Sequence, residues 1–198
     1  MKIACLHTAE SNIVFFEEAA KAMGVEVSHT VRADLYQRAI ALGGADEAIL
    51  AETAEALSMM QGDVVLLTCS SIGAAAPRVG AYRVDAALAE LAVKDGADVE
   101  VFVTAGSTVE TTRLLFESYA KDTGARIKVT LIDGALDAFL SGDLTDYAAR
   151  IAAAADQSDA KVIALGQASM APAALLMQKP ALTSPMSGVM KAVEIGNT

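Results

Sequence analysis

The sequence contains no tryptophan, only four prolines, two cysteines and two histidines in 198 residues. Two cysteines, on different strands, cannot form the disulfide framework of a small secreted domain, so a reduced, cytoplasmic setting is expected. The histidines at 7 and 29 and the cysteines at 5 and 69 show neither HxxxH nor CxxC spacing, so no metal site is expected. An apolar content of 54% excludes disorder. No apolar run approaches the roughly 20 residues that a membrane-spanning helix needs, so no membrane partner is expected. The start Met1-Lys-Ile-Ala-Cys-Leu-His-Thr8 turns polar too soon for a secretory signal and reads as a first strand. Basic residues number 15 against 25 acidic ones, a net charge of −10, which speaks against a nucleic-acid partner. The loops carry neither a Walker lysine motif nor GxGxxG after a strand, so nucleotide binding has no support.

What is present is an alternation of strands and helices. Continuous aliphatic runs predict strands over 2–6, 25–29, 63–68, 99–104, 126–131 and 161–165. Runs that are apolar throughout, without alternation, suit parallel strands covered on both faces. Helical periodicity falls between them, over 11–23, 46–60, 79–94, 108–122, 144–155 and 187–195. Gly24, Gly62, Gly96 and Gly124 stand where C-terminal stops belong, and Asp46 and Thr108 where N-caps belong.

This pattern occurs twice. Val64-Val-Leu-Leu-Thr-Cys-Ser-Ser-Ile-Gly73 is echoed by Val162-Ile-Ala-Leu-Gly-Gln-Ala-Ser-Met-Ala171, so that Cys69 meets Gln167 and Ser71 meets Ser169 at an offset of 98. The segment 5–24 is echoed by 105–124 at an offset of 100, pairing Thr8 with Thr108, Phe16 with Phe116 and Gly24 with Gly124. The expectation is an α/β chain of two pseudo-symmetric flavodoxin-like lobes, each a mostly parallel sheet flanked by helices, with a cleft between them. The lobes are expected over 1–97 and 98–183, with a C-terminal helix, 184–198, packing back on the first.

Ligands of such sheets bind beyond the carboxyl ends of the strands. Polar residues gather at those ends: His7, Thr8, Glu10, Ser11 and Asn12 after the first strand, then Thr68, Cys69, Ser70 and Ser71 after the third. The second half offers Thr104, Ser107, Thr108, Thr111 and Thr112, then Gln167 and Ser169. Hydroxyls and free backbone N–H groups suit a carboxylate without an arginine. Cys69 is a candidate proton carrier if its loop lowers the thiol from roughly 8.5 toward neutrality. Gln167 cannot act as a base near pH 7 but can donate and accept hydrogen bonds. Cys5, inside a strand, reads as core. His7 reads either as an acid or base at the site or as a hydrogen-bonded histidine at the sheet edge. Tyr36, Arg78, Tyr82 and Arg83 stand where they could border the ligand or a partner subunit.

These features resemble the aspartate/glutamate/hydantoin racemase superfamily. The resemblance is carried by the twofold α/β repeat, by Thr68-Cys-Ser-Ser71, by Gly166-Gln-Ala-Ser169, and by Leu182-Thr-Ser-Pro-Met-Ser-Gly188 before a last helix. It spans essentially the whole chain. It implies a cofactor-independent enzyme working at the carbon α to a carboxylate of a small acid, and a dimer or larger homo-oligomer. In that family two cysteines flank the substrate carbon, and hydroxyls and amides of their loops hold its carboxylate. Carried onto this chain, Cys69 is the single catalytic thiol and His7 the candidate partner, while Gln167 orients the substrate. Thr68, Ser70, Ser71, Ser107, Thr108 and Ser169 are the expected carboxylate binders. With one thiol, the expected chemistry is an isomerase with another second base, or a lyase or decarboxylase that protonates one face. The alternative is a non-catalytic carboxylate-binding or regulatory homologue.

Overall fold

The computed structural model describes residues 1–197. The chain divides into two compact units, Met1–Ala87 together with the C-terminal stretch from Pro185, and Leu88–Ser184. The first unit runs β1 (Lys2–His7), α1 (Ile13–Met23), β2 (Glu26–Val31), α2 (Ala33–Ala41), α3 (Glu47–Ser58), β3 (Val64–Leu67), a 3-10 segment Ser70–Val79 and β4 (Tyr82–Arg83). Helix α4 (Val84–Val93) carries the chain across the division. The second unit continues with β5 (Val99–Val103), α5 (Val109–Ala120), β6 (Ile127–Leu131), α6 (Ala135–Leu140), α7 (Leu144–Asp156), β7 (Val162–Leu165), a 3-10 segment Ala168–Leu175 and β8 (Leu182–Thr183). Helix α8 (Ser184–Gly196) then closes the chain as part of the first unit. Among the described residues no helix is long and apolar enough to cross a membrane.

Both sheets are parallel and share one topology, β2-β1-β3-β4 and β6-β5-β7-β8. Alternate residues of each strand face opposite layers of helix. In the first unit Leu6 and Leu67 join Leu35, Ile49, Leu57 and Ile72 in the layer built by α2, α3 and the 3-10 segment. In the second, Phe102 and Leu165 meet Tyr147, Ile151 and Met170 on the α6–α7 side, while Val99, Val101 and Ala164 meet Phe116 of α5 and the second half of α4. That half of α4, from Leu88 to Val93, packs on the second sheet, so the division falls inside a helix between Ala87 and Leu88. Sequence punctuation suggests instead the loop at residue 97.

The strand register corrects one sequence pairing. Leu6 lies opposite Leu67, and Phe102 opposite Leu165, so the first strands correspond at an offset of 96 (102 minus 6). Ile3 lies opposite Val27 and Val99 opposite Ile127, so the second strands correspond at 100 (127 minus 27). The second unit therefore holds four extra residues between these strands, close to one helical turn. Thr8 consequently corresponds to Thr104, not to Thr108. The helix ends keep the offset read from sequence, because Gly24 and Gly124 both adopt left-handed φ values, 67° and 76°.

Two cap assignments separate in the same way. Asp46 caps α3, its carboxylate accepting from Ile49 N at 2.9 Å. Thr108 does not cap α5; it ends a 3-10 turn and its hydroxyl donates back to Ala105 O at 2.7 Å.

One buried ion network gives a stability prediction. Glu100 of β5 is only 5% exposed and accepts hydrogen bonds from Thr130 Oγ1 at 2.5 Å and Ser158 Oγ at 2.6 Å, with Lys128 Nζ at 2.8 Å. Burial pushes its carboxyl up, but the hydrogen bonds from Lys128, Ser158 and Thr130 outweigh it, so the carboxyl lies below the usual glutamate value. A carboxyl depressed by folding stabilises the protein above its unfolded pKa, about 4.3, and that contribution is lost as pH falls through the folded value. Glu100→Gln is expected to cost roughly 2 kcal/mol at pH 7. The difference from wild type should narrow between about pH 5 and pH 3 in urea melts.

Candidate functional site

In a sheet ordered 2-1-3-4 the strand order reverses between the first and third strands, and ligands bind beyond the carboxyl ends of such strands at that point. The residues there are Thr8 after β1 and Cys69 after β3. Their counterparts are Thr104 after β5 and Gln167 after β7. The two units treat this pair differently.

In the first unit, Cys69 Sγ stands near enough to the Thr8 side chain and to the backbone N–H groups of Ser71 and Ile72, which open the 3-10 segment, for each to favour its thiolate. Burial is nevertheless the largest influence and pushes the thiol up, with the Asp85 carboxylate adding to the rise. The amides and hydroxyl expected from the sequence are present, but they do not bring the thiol toward neutrality, because desolvation outweighs them. Tyr36 of α2 stands close enough for a Cys69 thiolate to raise its phenol, after burial as the main cause. Arginines at the strand ends are already paired. Arg32 binds Asp34 at 2.8 and 2.7 Å and also Glu52, while Arg83 binds Asp85 at 2.9 and 2.6 Å. Arg78 pairs with Glu47 at 2.6 and 3.0 Å on the surface.

In the second unit, Gln167 turns inward. Its Oε1 accepts from Thr104 N at 2.7 Å and from Thr104 Oγ1 at 2.8 Å, tying the two strand ends together. Tyr147 OH lies 2.9 Å from Ser169 Oγ and 3.4 Å from Thr104 Oγ1. The carbonyl that could orient a substrate is thus spent on the protein's own backbone.

The expected binders divide by where their hydroxyls point. Thr68 donates to Leu6 O at 3.1 Å and accepts from His7 Nδ1 at 2.9 Å, so it is consumed inside the sheet. Thr108 is consumed by Ala105 O and Ser169 is shared with Tyr147. Ser71 and Ser107 are exposed and Ser70 is half-buried, so those three residues remain within reach of solvent. His7 does not accompany Cys69. Leu6 and Leu67 face the α2–α3 layer, so by strand alternation Thr8 and Cys69 share that side while His7 and Thr68 lie on the other. His7 is fully buried and both its ring nitrogens are engaged, by Thr68 and by His29 Nδ1 at 2.8 Å. Burial, then the His29 charge, lowers its pKa to about 4. Sequence reasoning named Thr8 without its role, and it missed Thr104 and Tyr147 as partners of Gln167 and Ser169. The signal for Thr8 and Thr104 was the offset of 96, masked by the stronger helix match at 100.

The thiol's direction can be measured. Iodoacetamide should label Cys69 more slowly at pH 7 than an ordinary thiol, with the rate still rising past about pH 8.5. A labelling rate that levels off below that pH would contradict the burial argument.

Two parallel 2-1-3-4 sheets in tandem, with the Thr8–Cys69 pair at one switch point, make this a racemase-type α/β fold. Among solved structures it is shared by aspartate racemase from Picrophilus torridus, with a TM-score of 0.72 at 10% identity, covering 99% of this chain and 94% of that one. Glutamate racemase from Bacillus anthracis gives 0.68 at 12%, covering 98% and 80%, and allantoin racemase from Pseudomonas fluorescens 0.61 at 18%, covering 100% and 91%. No protein-family model matches the sequence. No curated protein matches it either.

Proposed function

We propose that the chain is a member of the aspartate/glutamate/hydantoin racemase superfamily, an isomerase or lyase that uses Cys69 as its single catalytic thiol. Its substrate is a small acid, and it reacts at the carbon α to the carboxylate. The observation that carries this reading is the Thr8–Cys69 pair at the switch point, set against a Gln167 tied to Thr104.

A thiol held up by burial is protonated at neutral pH, which makes it a proton donor before it is a base. On giving up its proton, the sulfur becomes a thiolate that the Thr8 hydroxyl and the Ser71 and Ile72 amides can stabilise. This favours lyase chemistry over racemisation. A substituted malonate would lose one carboxylate as carbon dioxide, and the electron pair left on the α-carbon would take the Cys69 proton. Solvent then returns a proton to the thiolate. Ser70 and Ser71 would hold the retained carboxylate. Racemisation would need a second proton carrier, and Gln167 is not one.

The test is a screen of amino acids, hydantoins and substituted malonates in deuterated water, following carbon dioxide release and deuterium at the α-carbon. Release with a single deuterium in one enantiomer supports the proton-donor role. The second reading, a carboxylate-binding protein without turnover, is favoured by the closed Thr104–Gln167 pair. It predicts binding with neither carbon dioxide nor deuterium incorporation.

A further inference from the structure

The first unit buries a second chemical cluster on the face of its sheet away from Cys69. Cys5 and His7 are two apart on β1 and so share a face, and His29 is the β2 residue registered with Cys5. One ligand atom from each, the Cys5 sulfur and a ring nitrogen of each histidine, lie within 4.8 Å of one another. Spacing in the sequence hides this, because parallel neighbours join residues more than twenty positions apart.

The second unit supplies a control. By the register above, Cys5, His7 and His29 correspond to Val101, Val103 and Val129. The same sheet is therefore built with three valines in one copy, and with a thiol and two imidazoles in the other. The imidazole nitrogens are all partnered, so what sets the two copies apart is the chemistry of the side chains: one gathers three metal-type donors where the other has none.

We infer that Cys5, His7 and His29 form a binding site for a zinc-class transition-metal cation. A thiolate and two imidazoles are the donors that such an ion takes, and three protein ligands leave a fourth position open. The outer contacts are those that orient metal-binding histidines. His7 Nδ1 faces Thr68 Oγ1 at 2.9 Å, directing Nε2 into the cluster, and His29 Nε2 faces Glu17 Oε1 at 3.1 Å, directing Nδ1 the same way. Thr68 gives its one hydroxyl hydrogen to Leu6 O, so His7 Nδ1 must be the donor to Thr68, and His7 Nε2 accepts from His29 Nδ1. The ion takes the place of the proton between those two nitrogens. Their separation of 2.8 Å would open to about 3.3 Å, set by two roughly 2.05 Å bonds at a tetrahedral angle. The Cys5 thiol loses its proton to solvent on binding, as zinc coordination requires. Glu17 is exposed and His29 half-buried, which gives the ion a way in. The site lies next to Thr8 in the chain, so an ion would also stiffen the strand end that carries it.

The test is a titration of the metal-free full-length protein with Co²⁺, read by the thiolate-to-cobalt charge-transfer absorption, followed by displacement with Zn²⁺. One equivalent should bind with that absorption, and Zn²⁺ should raise the melting temperature. Cys69→Ala should leave the band intact, which places the ligand at Cys5. Cys5→Val and His29→Val should abolish it, and both should fold, since valine occupies the matching positions of the second unit. Glu17→Gln should weaken binding by about 10- to 100-fold. Wild-type protein that is folded and shows no charge-transfer band overturns the proposal, as does a band that survives in Cys5→Val. If Cys5→Val fails to fold, the His29→Val titration decides alone. A negative result here leaves the reading of Cys69 untouched, because the two sites share no residue.

Discussion

Cys69→Ala is expected to lower turnover by about 10² to 10⁴-fold while leaving the fold and ligand affinity in place. In the proposed mechanism the residue touches the reacting atoms only through its proton, and the groups proposed to hold a carboxylate belong to its neighbours Ser70 and Ser71. Cys69→Ser should lose nearly as much, because a hydroxyl is too weak an acid to take over the transfer. The pH profile separates the two possible roles. A proton donor whose pKa is raised by burial stays loaded through neutral pH, so activity is level there and falls in the alkaline range as the thiol ionises. A thiolate base would give the opposite slope, with activity climbing toward alkaline pH. Turnover in Cys69→Ala that matches wild type would remove the thiol from the mechanism altogether.

Phe16→Ala should cost roughly 3–5 kcal/mol, and Phe116→Ala in the second unit should cost a similar amount. Both rings are essentially unexposed, at 0% and 1%. In a protein of this size such a loss lowers the melting temperature by roughly 6–20 °C. Their surroundings set the order. Phe116 lies in an apolar layer with Val99, Val101 and Ala164, so its removal leaves a dry void. Phe16 stands edge-on to His7, with ring centroids 5.2 Å apart, over the Cys5–His7–His29 cluster. A void there has polar walls, so water can enter and recover part of the loss. Phe16→Ala should therefore sit at the lower end of the range and Phe116→Ala at the upper, measured by urea denaturation of both variants. Equal costs, or the reverse order, would mean that the cluster stays closed to water.

The six long strands were legible because short segments rich in aliphatic and β-branched residues recur between the helical stretches. Helices α2 and α6 were not, at nine and six residues, and the two 3-10 segments carry Pro77 and Pro172 and read as loops. Strands β4 and β8 have two residues each, too few for any period. At the site, the position of Cys69 was visible as the polar stop to an apolar run. Its face was not. Thr68 and Cys69 follow the same strand one residue apart, and only the packing of Leu67 against α3 decides which of them looks toward a ligand. The convergence of His7 with His29 depended on β1 and β2 being neighbours in parallel register, a pairing that neither segment reveals alone.

The first unit is made of both ends of the chain, whereas the second is a single stretch from Leu88 to Ser184. Helix α8 belongs to the first unit, and Gly188 passes so near Val84 that a side-chain carbon there would lie 2.7 Å from Val84 Cγ1. During synthesis the ribosome releases β1 well before α8, yet the unit that contains β1 stays unfinished until α8 emerges. The unit begun earliest is completed last, and the one enclosed within it can close while translation is still under way. The strand that holds the Cys5–His7 cluster therefore belongs to the unit that waits longest for its last element.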